Sequence, residues 1–267
     1  MAHSPIEHCT LQGAASVRLH GRDGAHCTAL LYGGQVVSWC DAHGRELLYL
    51  SPQSRLDGSA AVRGGIPVVF PQFAAQGPLQ RHGFVRTKHW QLEPSDGRQN
   101  DRITLVWHHT QADHAEWPHD CRVQLHVQLL DQALQLELDV KNTGTSPLPF
   151  CAALHTYLAT ADAASTLLHG LRTDGQAQHF AEPIDHLQFD QTQPMQLVTP
   201  QHTLRIAQEG FADAVVWNPG AGHGLGDLPP DGYRHFVCVE AAQLRPVVLA
   251  AGARWRGSQT LRALSLA

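Results

Sequence analysis

Residues 121–140 constrain the fold more than any other stretch of this chain. Cys121 to Leu129 (CRVQLHVQL) and Leu134 to Val140 (LQLELDV) both alternate apolar and polar residues, and only a few residues separate them. Successive side chains on a strand point to opposite faces, so the pattern describes an antiparallel hairpin with one face in a core and one in water. Glu137 and Asp139 fall on its polar face and read as solvated charges, not as a working carboxylate pair. Short strand signals recur at Gln35 to Cys40, Asp101 to Trp107, Phe150 to Leu158, His202 to Ala207, Asp213 to Trp217, Arg234 to Glu240 and Trp255 to Leu261. No long stretch carries helical periodicity, and only short turns are expected, near Pro52 to Leu56 and Ala161 to Ser165. Many short strands between turn clusters predict an all-β fold, a large antiparallel β-sandwich. With no internal repeat, low-complexity tract or linker, residues 1–267 are expected to form a single domain.

Charge narrows the class of partner. The net charge of -5 and the pI near 6.4 lack the basic excess of a nucleic-acid binder. The N-terminus, MAHSPIEHCT, has neither a basic n-region nor an apolar core, so no signal peptide is expected. No apolar run approaches the roughly 18–20 residues that span a membrane. The six cysteines (Cys9, Cys27, Cys40, Cys121, Cys151, Cys238) are scattered without a CxxC pair and read as buried thiols. A cytoplasmic location is expected.

Against this mildly acidic body, Arg63 to Arg86 (RGGIPVVFPQFAAQGPLQRHGFVR) holds three arginines, one histidine and no acidic residue. Arg63, Arg81 and Arg86 offer forked donors suited to phosphate or carboxylate. Gly64-Gly65 permits a turn whose consecutive N–H groups form an anion-binding concavity. An anionic small ligand fits such a local feature better than a polyanion does. The alternative is a Gly/Pro-rich connection with solvated arginines.

Two strands carry candidate chemistry. In FCAALHTYL, period two places Cys151, Ala153, His155 and Tyr157 on one face, where the small residues leave room beside the imidazole. A lone histidine in such a strand is otherwise a satisfied core residue. In RHFVCVE, Phe236, Cys238 and Glu240 share a face, and partial burial would raise Glu240 towards the range of a useful general base. The alternative is an exposed glutamate just past a strand end. His108, His109, His114 and His119 with Cys121 match no zinc spacing. No nucleophilic serine motif, P-loop or dinucleotide fingerprint is present. Trp217 in DAVVWNP is a candidate sugar platform or a core aromatic.

Taken together, RGGIPVVFPQF, RHGFVR, LHTYL and VCVEAA, in this order, resemble the glucose-6-phosphate 1-epimerase (hexose-6-phosphate mutarotase) group of the aldose 1-epimerase family. DGSAAVRGGIP and DAVVWNP also fit, so the resemblance runs from about Val36 to Leu261. It implies a galactose-mutarotase-like β-sandwich with the sugar in a shallow cleft across one sheet. It also implies His155 as the general acid at the ring oxygen and Glu240 as the base at the anomeric hydroxyl. Arg63 and Arg86 fall on arginines that bind the phosphosugar, and His82 on a further sugar-contacting histidine. Two positions depart from the pattern. Arg81 stands where some relatives place a substrate-binding glutamine, and the family's substrate-binding aspartate aligns near Gln193, so that either Asp190 takes its role through a shifted loop or the contact is changed. The expectation is a monomer acting on a hexose phosphate without metal or organic cofactor, and with no nucleic-acid or membrane partner.

Anomer exchange removes a proton from the C1 hydroxyl and delivers one to the ring oxygen, which requires a carboxylate and an imidazolium together. Opposite charges are expected to hold Glu240 and His155 in those states. Two other readings stay open: the same reaction on unphosphorylated aldoses, and a non-catalytic sugar-phosphate-binding protein. A glycosidase would want two carboxylates flanking the bond.

Overall fold

The computed structural model describes residues 5–94, 102–113, 116–171 and 175–264. The chain opens with β1 (Ile6–Leu11), β2 (Ala14–His20), β3 (His26–Leu30) and β4 (Gln35–Cys40), a four-stranded sheet paired in sequence order. There follow β5 (Val68–Val69), β6 (Gln91–Leu92), β7 (Arg102–His109), β8 (Cys121–Leu130) and β9 (Ala133–Asn142). Next come β10 (Leu148–Leu154), β11 (Tyr157–Ala159), β12 (Leu167–His169), β13 (Gln178–His179) and β14 (Ile184–Gln188). The last strands are β15 (Met195–Val198), β16 (Thr203–Glu209), β17 (Asp213–Asn218), β18 (Phe236–Leu249) and β19 (Arg254–Leu264). A nine-stranded sheet runs β13-β12-β15-β16-β19-β9-β8-β7-β6. A six-stranded sheet runs β14-β17-β18-β10-β5, with β11 also on β18. All these strand pairings are antiparallel. The only helices among the described residues are 3-10 turns at Val85–Thr87, Ala163–Ser165 and Gly232–His235, and none is long enough to cross a membrane.

One core joins the sheets. Leu125, Leu136, Leu138 and Ile206 come from the nine-stranded sheet, Leu154, Val216, Val239 and Ala241 from the six-stranded sheet, and Val17 and Trp39 from the N-terminal sheet. The hairpin of β8 and β9 closes through Asp131 and Gln132, the latter at φ 51, and its apolar face is buried apart from half-buried Leu129 near the turn. Its polar face is not open to water throughout, as the alternation alone suggested. Asp139 is 1% exposed because β19 pairs alongside β9, where Arg256 donates to it at 2.7 Å and Arg254 pairs with it at 3.2 Å. Among the described residues, His108, His109 and His119 form no metal-ligand cluster with Cys121. His109 packs between Trp107 and Trp117, and His114 lies outside the described residues. A short turn closes at Pro52-Gln53, where Ser54 N–H donates to the Ser51 carbonyl at 3.0 Å, and Ala161 to Ser165 ends in a 3-10 turn.

Candidate active site

The six-stranded sheet turns one face to the core and the other to a cleft. Ala214, Val216, Val237, Val239 and Ala241 point inward, so Val215, Trp217, Phe236, Cys238 and Glu240 point out. Register then builds two adjacent rows across the sheet. In one, Asp185 faces Trp217, Trp217 faces Cys238, and Cys238 faces Tyr157. In the other, Leu187 faces Val215 and Val215 faces Glu240. The predicted strand from Phe150 to Leu158 is interrupted at His155 and Thr156, where His155 N–H donates to the Pro67 carbonyl at 3.0 Å. The register nonetheless continues through the break: Leu154 faces Ala241 and Tyr157 faces Cys238, which sets His155 against Glu240. Their Nε2 and Oε1 atoms lie 3.4 Å apart. Glu240 is no exposed strand end; β18 starts at Phe236, not Arg234, and runs nine residues beyond Glu240.

The 63–86 stretch supplies the wall. A cavity of about 420 Å³ is lined by Arg63, Arg81, Arg86 and His82 from this stretch, with His155, Glu240, Asp185 and Trp217 among the sheet residues. Arg63 donates from Nε to Asp227 at 3.1 Å and from NH1 to the Tyr157 hydroxyl at 3.1 Å. Arg86 donates from NH2 to the Arg81 carbonyl at 2.8 Å, which leaves its buried Nε without a partner. The glycine pair serves packing, not an anion nest. Gly65 N–H is taken by the Tyr49 carbonyl at 2.7 Å, and its φ of 60 brings its α-carbon against the Val36 backbone. Gly64, at φ 115, lies as closely against Tyr49 and Leu50.

Aromatic rings position the histidines. The His155 ring stacks on Tyr157 at 4.9 Å and 11°, and meets Trp217 edge-on at 5.8 Å. His82, at φ 66, holds its ring 5.5 Å from that of His155 and 5.3 Å from Phe73. Burial, reinforced by Arg86, Arg81 and Arg63, pulls His82 down to about 3. His155 is held well below its ordinary value by burial, then by His82, Arg86 and Arg63. Glu240 is pushed well above the carboxylate range by burial and by Asp185, with Arg81 working the other way. Burial thus works against the ionised pair expected from the sequence, while the 3.4 Å contact favours it. Desolvation, the largest influence on both groups, disfavours the imidazolium and the carboxylate alike. His155 Nδ1 and Glu240 Oε2 are buried without hydrogen-bond partners, as Arg86 Nε is. Unpartnered polar atoms around one cavity describe a site shaped for a polar ligand.

The structure thus brings His155, Glu240, Arg63, Arg81, Arg86 and His82 together. It does not bring Gln193 or Asp190 with them. Gln193 is exposed in the turn before β15, and Asp190 pairs with Arg245 at 2.6 Å. Neither lines the cavity; the aspartate that does is Asp185 on β14. No residue of IDHLQ is fully buried, and only the pairing with DAVVWN reveals its face. The six cysteines are all free thiols.

Comparison with known proteins bears on this geometry. The family profile described as aldose 1-epimerase matches residues 15–199. A Cenchrus ciliaris protein, provisionally named a glucose-6-phosphate 1-epimerase, is 31% identical over 96% of this chain and 86% of its own. An Escherichia coli K12 protein of the same provisional name is 32% identical over 79% of this chain and 78% of its own. Among solved structures, a Salmonella typhimurium protein described provisionally as a mutarotase superposes with a TM-score of 0.84 at 23% identity, covering 100% and 96% of the two chains. A galactose mutarotase-like protein from Clostridium acetobutylicum gives 0.75 at 14% identity, covering 98% of each.

Proposed function

This chain belongs to the aldose 1-epimerase family, and on that premise we propose that it interconverts the α and β anomers of a hexose 6-phosphate, glucose 6-phosphate foremost. The observation that carries the reading is the facing of His155 and Glu240 beside three arginines in one cavity. A volume near 420 Å³ suits a single phosphorylated hexose.

Glu240 takes the proton of the anomeric hydroxyl and His155 protonates the ring oxygen, each positioned across the sheet by the β10–β18 register. The C1–O5 bond breaks, the C1–C2 bond rotates, and closure on the other face returns both protons. Trp217 offers the sugar an apolar platform, and Asp185 accepts from a sugar hydroxyl in the role first assigned to Gln193 or Asp190. Arg63, Arg81 and Arg86 receive the phosphate, and His82, held neutral by burial, offers the sugar an imidazole rather than a charge. The working form is proposed as a one-domain monomer in the cytoplasm, consistent with six free thiols.

The test is the anomerisation rate of α-glucose 6-phosphate beside free α-glucose, read with a β-specific dehydrogenase. Strong acceleration of the phosphate with little of the free sugar is expected. Acceleration of free glucose alone would discard the phosphate end, and none for either would leave a binding protein.

A further inference from the structure

Arg63 is held from two sides. Its Nε donates to Asp227 Oδ1 at 3.1 Å and its NH1 to the Tyr157 hydroxyl at 3.1 Å, which leaves NH2 for a ligand. Tyr157 is fixed in turn: it is 2% exposed and its ring stacks on His155 at 4.9 Å. Asp227 comes from the loop of residues 219–231 between β17 and β18, and is half-buried. A lone ion pair at such a site is ordinarily worth little, because forming it orders two flexible side chains. Here one short turn orders both partners in advance. Ser51 N–H donates to the Arg63 carbonyl at 3.0 Å, and Ser51 Oγ donates to the Asp227 carbonyl at 2.6 Å. Ser54 Oγ accepts from Arg63 N–H and donates to the Arg63 carbonyl, both at 2.8 Å. The loop is anchored beside Asp227 as well, since Leu228 is 2% exposed and packs with Tyr157, Phe236 and Cys238. At its base, Asn218 Nδ2 donates to the Tyr233 and Phe236 carbonyls at 2.8 and 2.7 Å. A carboxylate fixed beside an anion site opposes the anion by charge, and is useful there only through the arginine it holds.

We propose that Asp227 is a positioning residue for the phosphate end of the substrate: with Tyr157 it clamps the Arg63 guanidinium in one plane and leaves NH2 to meet the phosphate. The inference rests on reading the cleft as a hexose-phosphate site. A guanidinium held on both flanks has little freedom left to lose when the anion arrives, so less of the contact energy goes into ordering it. Arg86, whose buried Nε has no partner, supplies a second donor that needs no such clamp because its NH2 is already tied to the Arg81 carbonyl. Asp227 therefore acts on binding of the phosphate and not on the proton transfers.

The test compares the full chain with its Asp227→Ala and Asp227→Asn variants. It measures kcat and KM for α-glucose 6-phosphate and for free α-glucose, and the Kd of inorganic phosphate by calorimetry. Asp227→Ala should raise KM for glucose 6-phosphate and Kd for phosphate at least about tenfold, with kcat changed less than about threefold, the pattern of lost binding rather than lost chemistry. Free glucose, which has no phosphate to place, should change far less. Asp227→Asn keeps an acceptor oxygen for Arg63 Nε and should recover most of the loss. An unchanged or lowered KM and Kd in Asp227→Ala would overturn the proposal, because the carboxylate would then only compete with phosphate. A loss shared equally by free glucose would also overturn it, leaving Asp227 a mere support of the loop, as would an Asn variant no better than Ala. Failure of the functional reading is separate: it shows as no acceleration of glucose 6-phosphate by the parent chain, while the phosphate Kd still sustains or overturns the role of Asp227. No phosphate binding by the parent chain would overturn both.

Discussion

Glu240 is 1% exposed with one carboxyl oxygen unpartnered, an arrangement that costs stability and makes sense only through what it does to a ligand. Glu240→Gln keeps the shape and removes the group that must ionise. It should lower kcat for glucose 6-phosphate by about 10²–10⁴-fold, the usual contribution of a positioned base. His155→Ala should do the same from the acid side. Thermal unfolding supplies the control: Glu240→Gln should be at least as stable as the parent. Near-normal turnover in either variant would remove the assigned roles. Both residues were visible in the sequence, but their protonation was not. For His155 it depends on burial first, and then on His82, Arg86 and Arg63 converging from a segment some seventy to ninety residues upstream in the chain.

At the scale of elements, the Gly64-Gly65 turn locks the wall to the sheets. Gly65 donates to Tyr49, accepts from Tyr157 N–H at 2.9 Å, and precedes Ile66, whose N–H reaches the Val36 carbonyl at 2.7 Å. Gly65→Ala would put a Cβ into the Val36 carbonyl at a positive φ. It should cost at least about 1 kcal/mol and lower Tm by a few degrees. An unchanged Tm would show that the turn has slack. The hairpin of β8 and β9 was legible because both partners are local and alternate strictly. Strands β1 to β3 and β12 to β15 were not: β1, β13 and β14 are sheet edges, β12, β13 and β15 are only two to four residues long, and β1 lacks a regular alternation of buried and exposed positions. Their identity as strands comes from neighbours, not from their own pattern.

For the whole molecule, buried neutral histidines set the response to acid. Burial draws His82 down to about 3, and His126 and His202 to about 4, from an ordinary 6.5. Each group binds a proton more readily in the unfolded chain, so its stabilisation is complete above about pH 6.5 and is lost as pH falls towards the folded values. The slope approaches about 1.4 kcal/mol per pH unit for a fully buried histidine, and the partly exposed His126 contributes less. Glu240, raised by burial, opposes one of them above pH 4.5. The net expectation is a Tm that falls steadily from pH 7 to pH 5. A flat or rising Tm across that window would mean these imidazoles are hydrated or charged in the native state.

The sequence by itself determined the β character, the arginine-rich segment, and the identities of His155 and Glu240, because alternation and local composition are properties of short stretches. Only the tertiary structure decided that Asp185 rather than Asp190 or Gln193 faces the cleft, that Asp139 is buried under arginines, and that the glycine pair packs instead of binding. Each of these depends on strand register between distant segments. A shift of one residue in register moves a side chain to the opposite face, and no local pattern fixes it.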